Sequence, residues 1–517
     1  TTLLDQADVQ ASAHFPRHYR DQAPGLRKLN ILTAALKIEG RSQAVRVDTG
    51  GAQATVGTVP STARLQADLA IDHGALRPGG HVVWRLPVLL GRQTQDQGLL
   101  ALQLDVAEAI RLQARLPPDE DSGNRLDADL RIRGRDVPFQ ALSALLPRTS
   151  GRVQTAWAFD SLNWISDLIV RKPWFRLQGG GTVQADVTLA DGQLAPGSTA
   201  EIPRVAAVAE VAGVRMQGDA HARGRIIEGR TPQAQVAMTL AEFKAAPGDA
   251  PKQVLFDGKD MRMTFNGDAR LQELKEGGRV QLAFKDARVP DLARYNRYVG
   301  NDQLELLGGA GLLSGDVELD TSGRVGSGHA DLRGNGARLR LAGLALSGNA
   351  AVQARLKRAD FEQKQFDLNG TTVRLQDVRV GAGGDAGWWG EVAIRQGHLS
   401  AAAPLRADAV ADITLRDAGP ILDIFSERGK SPRWVLGLID LGEVQATGQL
   451  RWRQNGQLLI DDLHAENQRL SLRGRLAIGE AGRRGDLYLR WGILGAGIEL
   501  DGEQKQWHLS GAREWYD

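Results

Sequence analysis

Side chains able to do chemistry are few and scattered in this 517-residue chain. The closest pair of its nine histidines, His14 and His18, is at helical spacing, but Pro16 between them breaks the helix that a two-histidine metal site needs. Cysteine is absent, which removes disulfides, thiolate zinc sites, iron–sulfur clusters and cysteine nucleophiles together. The cluster Gly308-Gly309-Ala310-Gly311 has no helix after it to hold a phosphate and reads as a turn or bulge. No GxSxG elbow, Walker-type loop or GxGxxG following a strand occurs. Asp and Glu fall on alternating positions, so spacing singles out no acid–base pair. No catalytic residue, metal or cofactor is assigned, and an enzyme is not expected.

The elements that carry these side chains alternate with period two, the mark of strands with one dry and one wet face. In residues 183–189 the apolar set is Val183, Ala185, Val187 and Leu189, facing away from Gln184, Asp186 and Thr188. In residues 405–415 it is Leu405, Ala407, Ala409, Ala411, Ile413 and Leu415, and only Val410 breaks the rule. Residues 126–132, 280–284, 313–319, 352–356, 446–452 and 472–478 repeat the pattern. Asp191-Gly192, Asp257-Gly258, Asn266-Gly267, Asn369-Gly370, Asn455-Gly456 and Asp501-Gly502 are expected as hairpin turns.

Short helices interrupt the strands. Asp136 is placed to cap a helix with Pro138 in its first turn, closing at a Ser150-Gly151 turn; Asp286 with Pro290, and Asp417 with Pro420, repeat the arrangement. Further helices are expected over residues 161–170 and 432–439. The recurrence reads as an internal repeat, with approximate units 1–150, 151–300, 301–430 and 431–517 in one elongated chain. The bland role for such helices is to plug sheet ends and cover edges.

Lys plus Arg number 64 and Asp plus Glu 62, a formal net charge of +2 with the signs interspersed, so phosphate-driven nucleic-acid binding is not expected. No 18-residue apolar run exists to span a membrane as a helix. Charges at Asp5, Asp8, Arg17, Arg20 and Asp21 break any signal-peptide pattern. Because the numbering opens on Thr1, an anchoring or targeting segment is expected to precede it.

Roughly 28 strands with three or four apolar side chains each make far more dry surface than the ~600 Å² patch a soluble monomer tolerates. Five tyrosines are too few for the aromatic girdles of a membrane barrel, and no linkers mark separate sandwiches. The fold class expected is all-β with a few short helices: one long, twisted, curved antiparallel sheet forming an elongated groove with an apolar interior. Candidate lining residues are Val183, Ala185, Val187, Leu189, Val280, Leu282, Phe284, Val317, Leu319, Leu405, Ala407, Ala409, Ile413, Leu415, Leu450 and Trp452. Trp388-Trp389, Trp164 and Trp174 are expected in core packing or plugs, and residues 513–516 as a partner contact or the start of a tail.

The strand–Asp–helix–turn run of residues 127–147 (DADLRIRGRDVPFQALSALLP) and the segment of residues 180–194 (GGTVQADVTLADGQL) resemble AsmA-like bacterial envelope proteins, the group that includes TamB and the YdbH-type proteins. The resemblance is one of texture and repeat layout over nearly the whole chain. It implies a periplasmic β-groove, anchored in the inner membrane through an N-terminal segment missing from this sequence, that carries phospholipids toward the outer membrane. Phospholipids are the partner implied, with an outer-membrane protein or lipoprotein as another. The alternative is a scaffold that receives strands of outer-membrane proteins on its sheet edges.

Overall fold

The computed structural model of the chain describes residues 4–14, 33–48, 51–55, 62–89, 97–118, 123–137, 142–170, 174–211, 213–270, 278–299, 304–341, 343–381, 386–402, 405–417, 419, 442–453, 457–467, 470–479, 482–502 and 504–517. Alternating apolar and polar residues favour extended backbone there, and the described residues form 32 strands hydrogen-bonded into one sheet. Short helical segments stand at Leu142–Arg148, Asn163–Ile169, Leu292–Tyr295, Asn296–Val299 and Ala512–Tyr516. Among the described pairings only Val45–Val88, Arg46–Leu89 and a single Ala109–Gly134 bridge are parallel. The all-β class, the single antiparallel sheet and the short helices are as the sequence leads one to expect.

The described residues divide into two compact units, Thr1–Val208 with Asp219–Leu240 and Met263–Val280, and Ala209–Gly218 with Ala241–Arg262 and Gln281–Asp517. In the first, the core joins Val45, Leu86, Val88, Leu100, Ala114, Leu116, Ala128 and Trp157 from neighbouring strands. In the second, Val444, Ala446, Leu463, Ala465, Leu472, Leu476, Ile478, Leu487, Leu489, Ile498 and Leu500 form one cluster, and Leu346, Val378, Val380, Trp388 and Leu415 another. A flat sheet would leave such same-face side chains wet; their mutual burial requires each unit's sheet to curl about its apolar side.

Bulges drive that curl. Asp260, Asp286, Asp377 and Asp462 all have positive φ (56°, 51°, 52° and 49°) inside strands. After each one the apolar phase shifts: Leu282 and Phe284 give way to Ala287 and Val289, and Leu458 and Ile460 to Leu463 and Ala465. The pairing registers slip at the same places, between Leu375 and Val378 and between Ile460 and Leu463. One extra residue per bulge bends the strand and raises its twist. Asp tolerates the left-handed region better than most residues.

Several local expectations need correction. Asp286 is a bulge, its N–H donating to Ser314 Oγ at 3.0 Å, and the following helical turn is capped by Asp291, which accepts from the Ala293 N–H at 3.0 Å. Asp136 forms a bridge with Ala75, and the helical turn starts only at Leu142; residues 138–141 lie outside the described residues. Asp417 does accept from the Gly419 N–H at 2.9 Å. The rest of that segment, the 432–439 helix and Asn455-Gly456 lie outside the described residues. Asp257-Gly258 and Asn266-Gly267 sit within the strand Phe256–Asp268, not at turns. Gly258 is there because the Phe243 ring lies where a Cβ would come within 2.9 Å of it. Ser150-Gly151 likewise lies within the strand Thr149–Phe159, where a Cβ on Gly151 would stand 2.1 Å from the Asp129 carbonyl oxygen. Asp191-Gly192 is a turn with both φ values positive, as a two-residue hairpin loop demands. Gly308 and Gly309, at φ 146° and 117°, form a bulge, and the helix Asn163–Ile169 falls within the expected 161–170.

Asp462→Val forces a β-branched residue into positive φ and is expected to cost about 1–3 kcal/mol, whereas Asp462→Gly stays within about 1 kcal/mol. The shift in urea midpoint for the two variants checks this, and equal costs would remove the bulge from the account of the curl.

Candidate functional site: a continuous apolar face

In-register pairing turns alternation along strands into rows across them. In the first unit, directly opposed residues Gly40, Leu65, Trp84, Leu102, Ala114, Ala128, Val153 and Val187 form one such row. In the second, Leu313, Leu332, Val352, Val373, Val392, Ile413, Ala446, Ala465, Leu472, Leu489 and Ala496 form another. Each row is a strip of hydrocarbon running at right angles to the strands, and no polar side chain interrupts it.

The second row has two regimes. From Ala446 to Ala496 its members are buried against one another. From Leu313 to Ile413 they are only half-buried, and the flanking row is built from Gly311, Gly334, Ala350, Leu375 and Gly390. Leu292 lies over Gly334, and Trp388 and Leu415 lie over Gly390, so neighbouring side chains fill part of that row while Leu332, Val352 and Val373 stay half-buried. Nearby, Phe243, Phe256 and Phe284 fill the face instead, with Phe256 stacked on Phe284 at 5.2 Å and Phe284 lying over Gly315.

The sequence-derived lining residues divide accordingly. Val183, Val280, Leu282, Leu319 and Leu415 are buried by their neighbours. Ala185, Val187, Leu189, Phe284, Val317, Leu405, Ala407, Ala409, Ile413, Leu450 and Trp452 are half-buried. Ala407 pairs with Trp452 and Ala409 with Leu450, so this part of the set is brought together. Leu332, Val373 and Val392 belong to the same face and escape simple pattern reading because glycine or arginine surrounds them; counting Gly as an inward residue would have found them.

The opposite face is laced with ion pairs. Arg111 grips Asp129 through Nε at 2.9 Å and a second nitrogen at 2.5 Å, and Arg152 grips Asp186 at 2.8 and 2.6 Å. Arg374–Glu391 and Arg475–Asp486 continue the theme in the second unit. Exposed pairs of this kind add little stability, but they keep the outer face wet and guard register. Arg152, and then the Gln154 amide, hold the Asp186 carboxyl down at about 2, and Arg111 lowers that of Asp129.

Helical segments seal local gaps. Asn296 exchanges two 2.7 Å hydrogen bonds with the Leu306 backbone, mimicking a strand partner, and Arg297 pairs with Asp249 at 2.7 Å. Tyr295 is part-buried beside them, and desolvation pushes its hydroxyl well above the ordinary phenol range. At the far end Trp515 stacks on His508 at 4.2 Å and Tyr516 on Tyr488 at 5.9 Å, folding Ala512–Tyr516 back on the sheet. Trp388 is core, packed over Gly390. Val410, the break in alternation, lines a cleft of about 510 Å³ with His398, Asp408, Ala409, Gln449, Leu450 and Arg451. A second cleft, of about 870 Å³, lies in the first unit among Arg115, Arg125, Asp127, Asp186, Glu201 and Arg223.

Among the described residues no group of His, Asp or Glu is arranged to hold a metal, and no helix is long and apolar enough to cross a membrane. No protein-family profile, curated protein or solved structure matches the chain. What the geometry offers is a surface, apolar and unbroken along each row, with water-facing charge behind it.

A carboxyl held at about 2 contributes stability above the unfolded value of ~3.9 and loses it as pH falls through the folded value. NMR titration of Asp186 is expected to give a midpoint near 2. Arg152→Ala should return it toward the ordinary carboxylate range; no upward movement would separate the low value from the ion pair.

Proposed function

We propose that this protein is a lipid conduit of the AsmA-like kind, working in the bacterial periplasm, whose apolar sheet face carries phospholipid acyl chains between the inner and outer membranes. The observation that carries the reading is the half-buried stretch from Leu313 to Ile413, an apolar strip that the chain's own side chains leave partly uncovered.

The physical case is one of barrier height. Exposing an acyl chain to water costs about 0.8 kcal/mol per CH₂, so a chain of ~16 carbons faces about 13 kcal/mol in free water. At about 1.4 kcal/mol per decade in rate that is roughly nine orders of magnitude, and half-burial along a row removes several of them. Rows of Leu, Val, Ile and Ala of similar polarity offer no single deep well, so a chain can move from strand to strand without being trapped. The headgroup stays in water at the strand ends. No catalytic group is required.

Val187→Asp and Ile413→Asp each place a charge in a row at a half-buried position. Both variants are expected to fold, with thermal transitions near the parent, yet to lose most of the phospholipid that mass spectrometry detects in organic extracts of the detergent-free protein. Leu487→Asp, at a fully buried position, should instead destabilise by several kcal/mol. Parent protein free of phospholipid, or global unfolding in all three variants, would mean that the face is an ordinary core. Outer-membrane protein recovered in place of lipid would favour the edge-scaffold reading.

A further inference from the structure

The strands Gly482–Trp491 and Leu494–Asp501 are joined by a two-residue turn in which Gly492 takes a φ of 58°. Hairpin tips normally carry small polar residues. This one reads Trp491-Gly492-Ile493-Leu494, and its side chains are out in solvent: Ile493 is 102% exposed, Leu494 54% and Trp491 37%. Leu509, 62% exposed, follows the strand Gln504–His508, whose His508 lies opposite Gly497, so it comes out at the same end of the sheet. Of the other exposed large apolar residues among those described, Val9, Trp164 and Ile227 stand far apart along the chain, and Leu307 and Leu312 share the strand Leu304–Asp320.

The tip continues the inner face. Leu487 and Leu489 are buried, and Trp491 is the next residue of the same phase. On the facing strand Leu500, Ile498 and Ala496 are buried and Leu494 follows. The apolar surface therefore runs from the closed stretch out to the turn and ends there in water.

We propose that this hairpin tip inserts into the interfacial layer of a lipid bilayer, seating the end of the sheet in the membrane. This rests on the conduit reading and adds where a membrane meets the chain. Three observations select a bilayer over a protein partner. Ile493 projects beyond the exposure of an extended chain, so the tip is convex and calls for a medium that yields. Most of both hairpin strands is already paired, with Leu470–Gly479 on one side and, from Gly497 to Asp501, with Gln504–His508 on the other, which leaves only residues 494–496 as edge for an added strand. Trp491 has an apolar ring with an N–H suited to the headgroup boundary, and exposed Arg490 next to it places a cation at that depth.

The test uses the full chain and large unilamellar vesicles of phosphatidylethanolamine and phosphatidylglycerol, with phosphatidylcholine vesicles as the uncharged arm. Flotation with both compositions is expected, stronger with the anionic one. The double substitution Ile493→Ser and Leu494→Ser removes two exposed aliphatic groups and should weaken vesicle binding by about tenfold or more, with an unchanged thermal transition. Quenching by brominated acyl chains should fall in Trp491→Phe relative to the parent, a readout independent of the double variant's folding. Equal flotation of parent and double variant, or equal quenching with and without Trp491, overturns the proposal. Phospholipid in organic extracts is measured on the same preparations. A parent that floats through its tip but carries no lipid supports insertion while rejecting the conduit; lipid carried without tip-dependent flotation does the reverse.

Discussion

Everything in this molecule depends on the antiparallel backbone ladder being held in register strand after strand. The period of side chains along a strand is two, so a slip of one residue would exchange the dry and wet faces of that strand and break every row it crosses. Opposed pairs such as Leu332–Val352 and Val373–Val392 hold the register from the dry side. Arg152–Asp186 and Arg374–Glu391 hold it from the wet side, where like charges placed opposite each other by a slip would repel. Neither kind of contact is strong alone. Their repetition makes one register far better than its neighbours.

A face built this way differs from the wall of an enzyme pocket. A pocket concentrates a few polar groups at fixed points, whereas a row repeats one chemistry and offers no preferred stopping place. The absence of any strongly shifted acid or base on the apolar face among the described residues fits such a surface. Shifted groups such as Asp186 and Asp129 on the outer face and the part-buried Tyr295 are accounted for by ion pairing and by desolvation.

Much of the architecture was legible in the sequence. Clean alternation in residues 183–189 and 405–415 identified both strands and their inward sets, and Asp191-Gly192 announced its hairpin. The failures share one physical origin. Asp is at home both at a helix N-cap and at a left-handed bulge, and a single sequence shows only the residue; Asp286 has the sequence context of the first and the backbone of the second. Gly serves both turns and close approaches, so Gly258 under the Phe243 ring and Gly151 against the Asp129 carbonyl looked like loop residues. The partly open stretch of the apolar face was illegible for a related reason. Which residues of neighbouring strands stand beside one another there depends on registers that only the folded sheet reveals.

The bulging aspartates separate two properties that most binding sites entangle. Asp377 and Asp462 face outward and govern how tightly their strands bend, while Leu375 and Ile460 face inward and decide what is touched. Calibre and lining are therefore written at different positions, and a lineage of such chains is free to widen or narrow its bore by drift at the aspartate of each bulged strand while its greasy inner coat stays as it was.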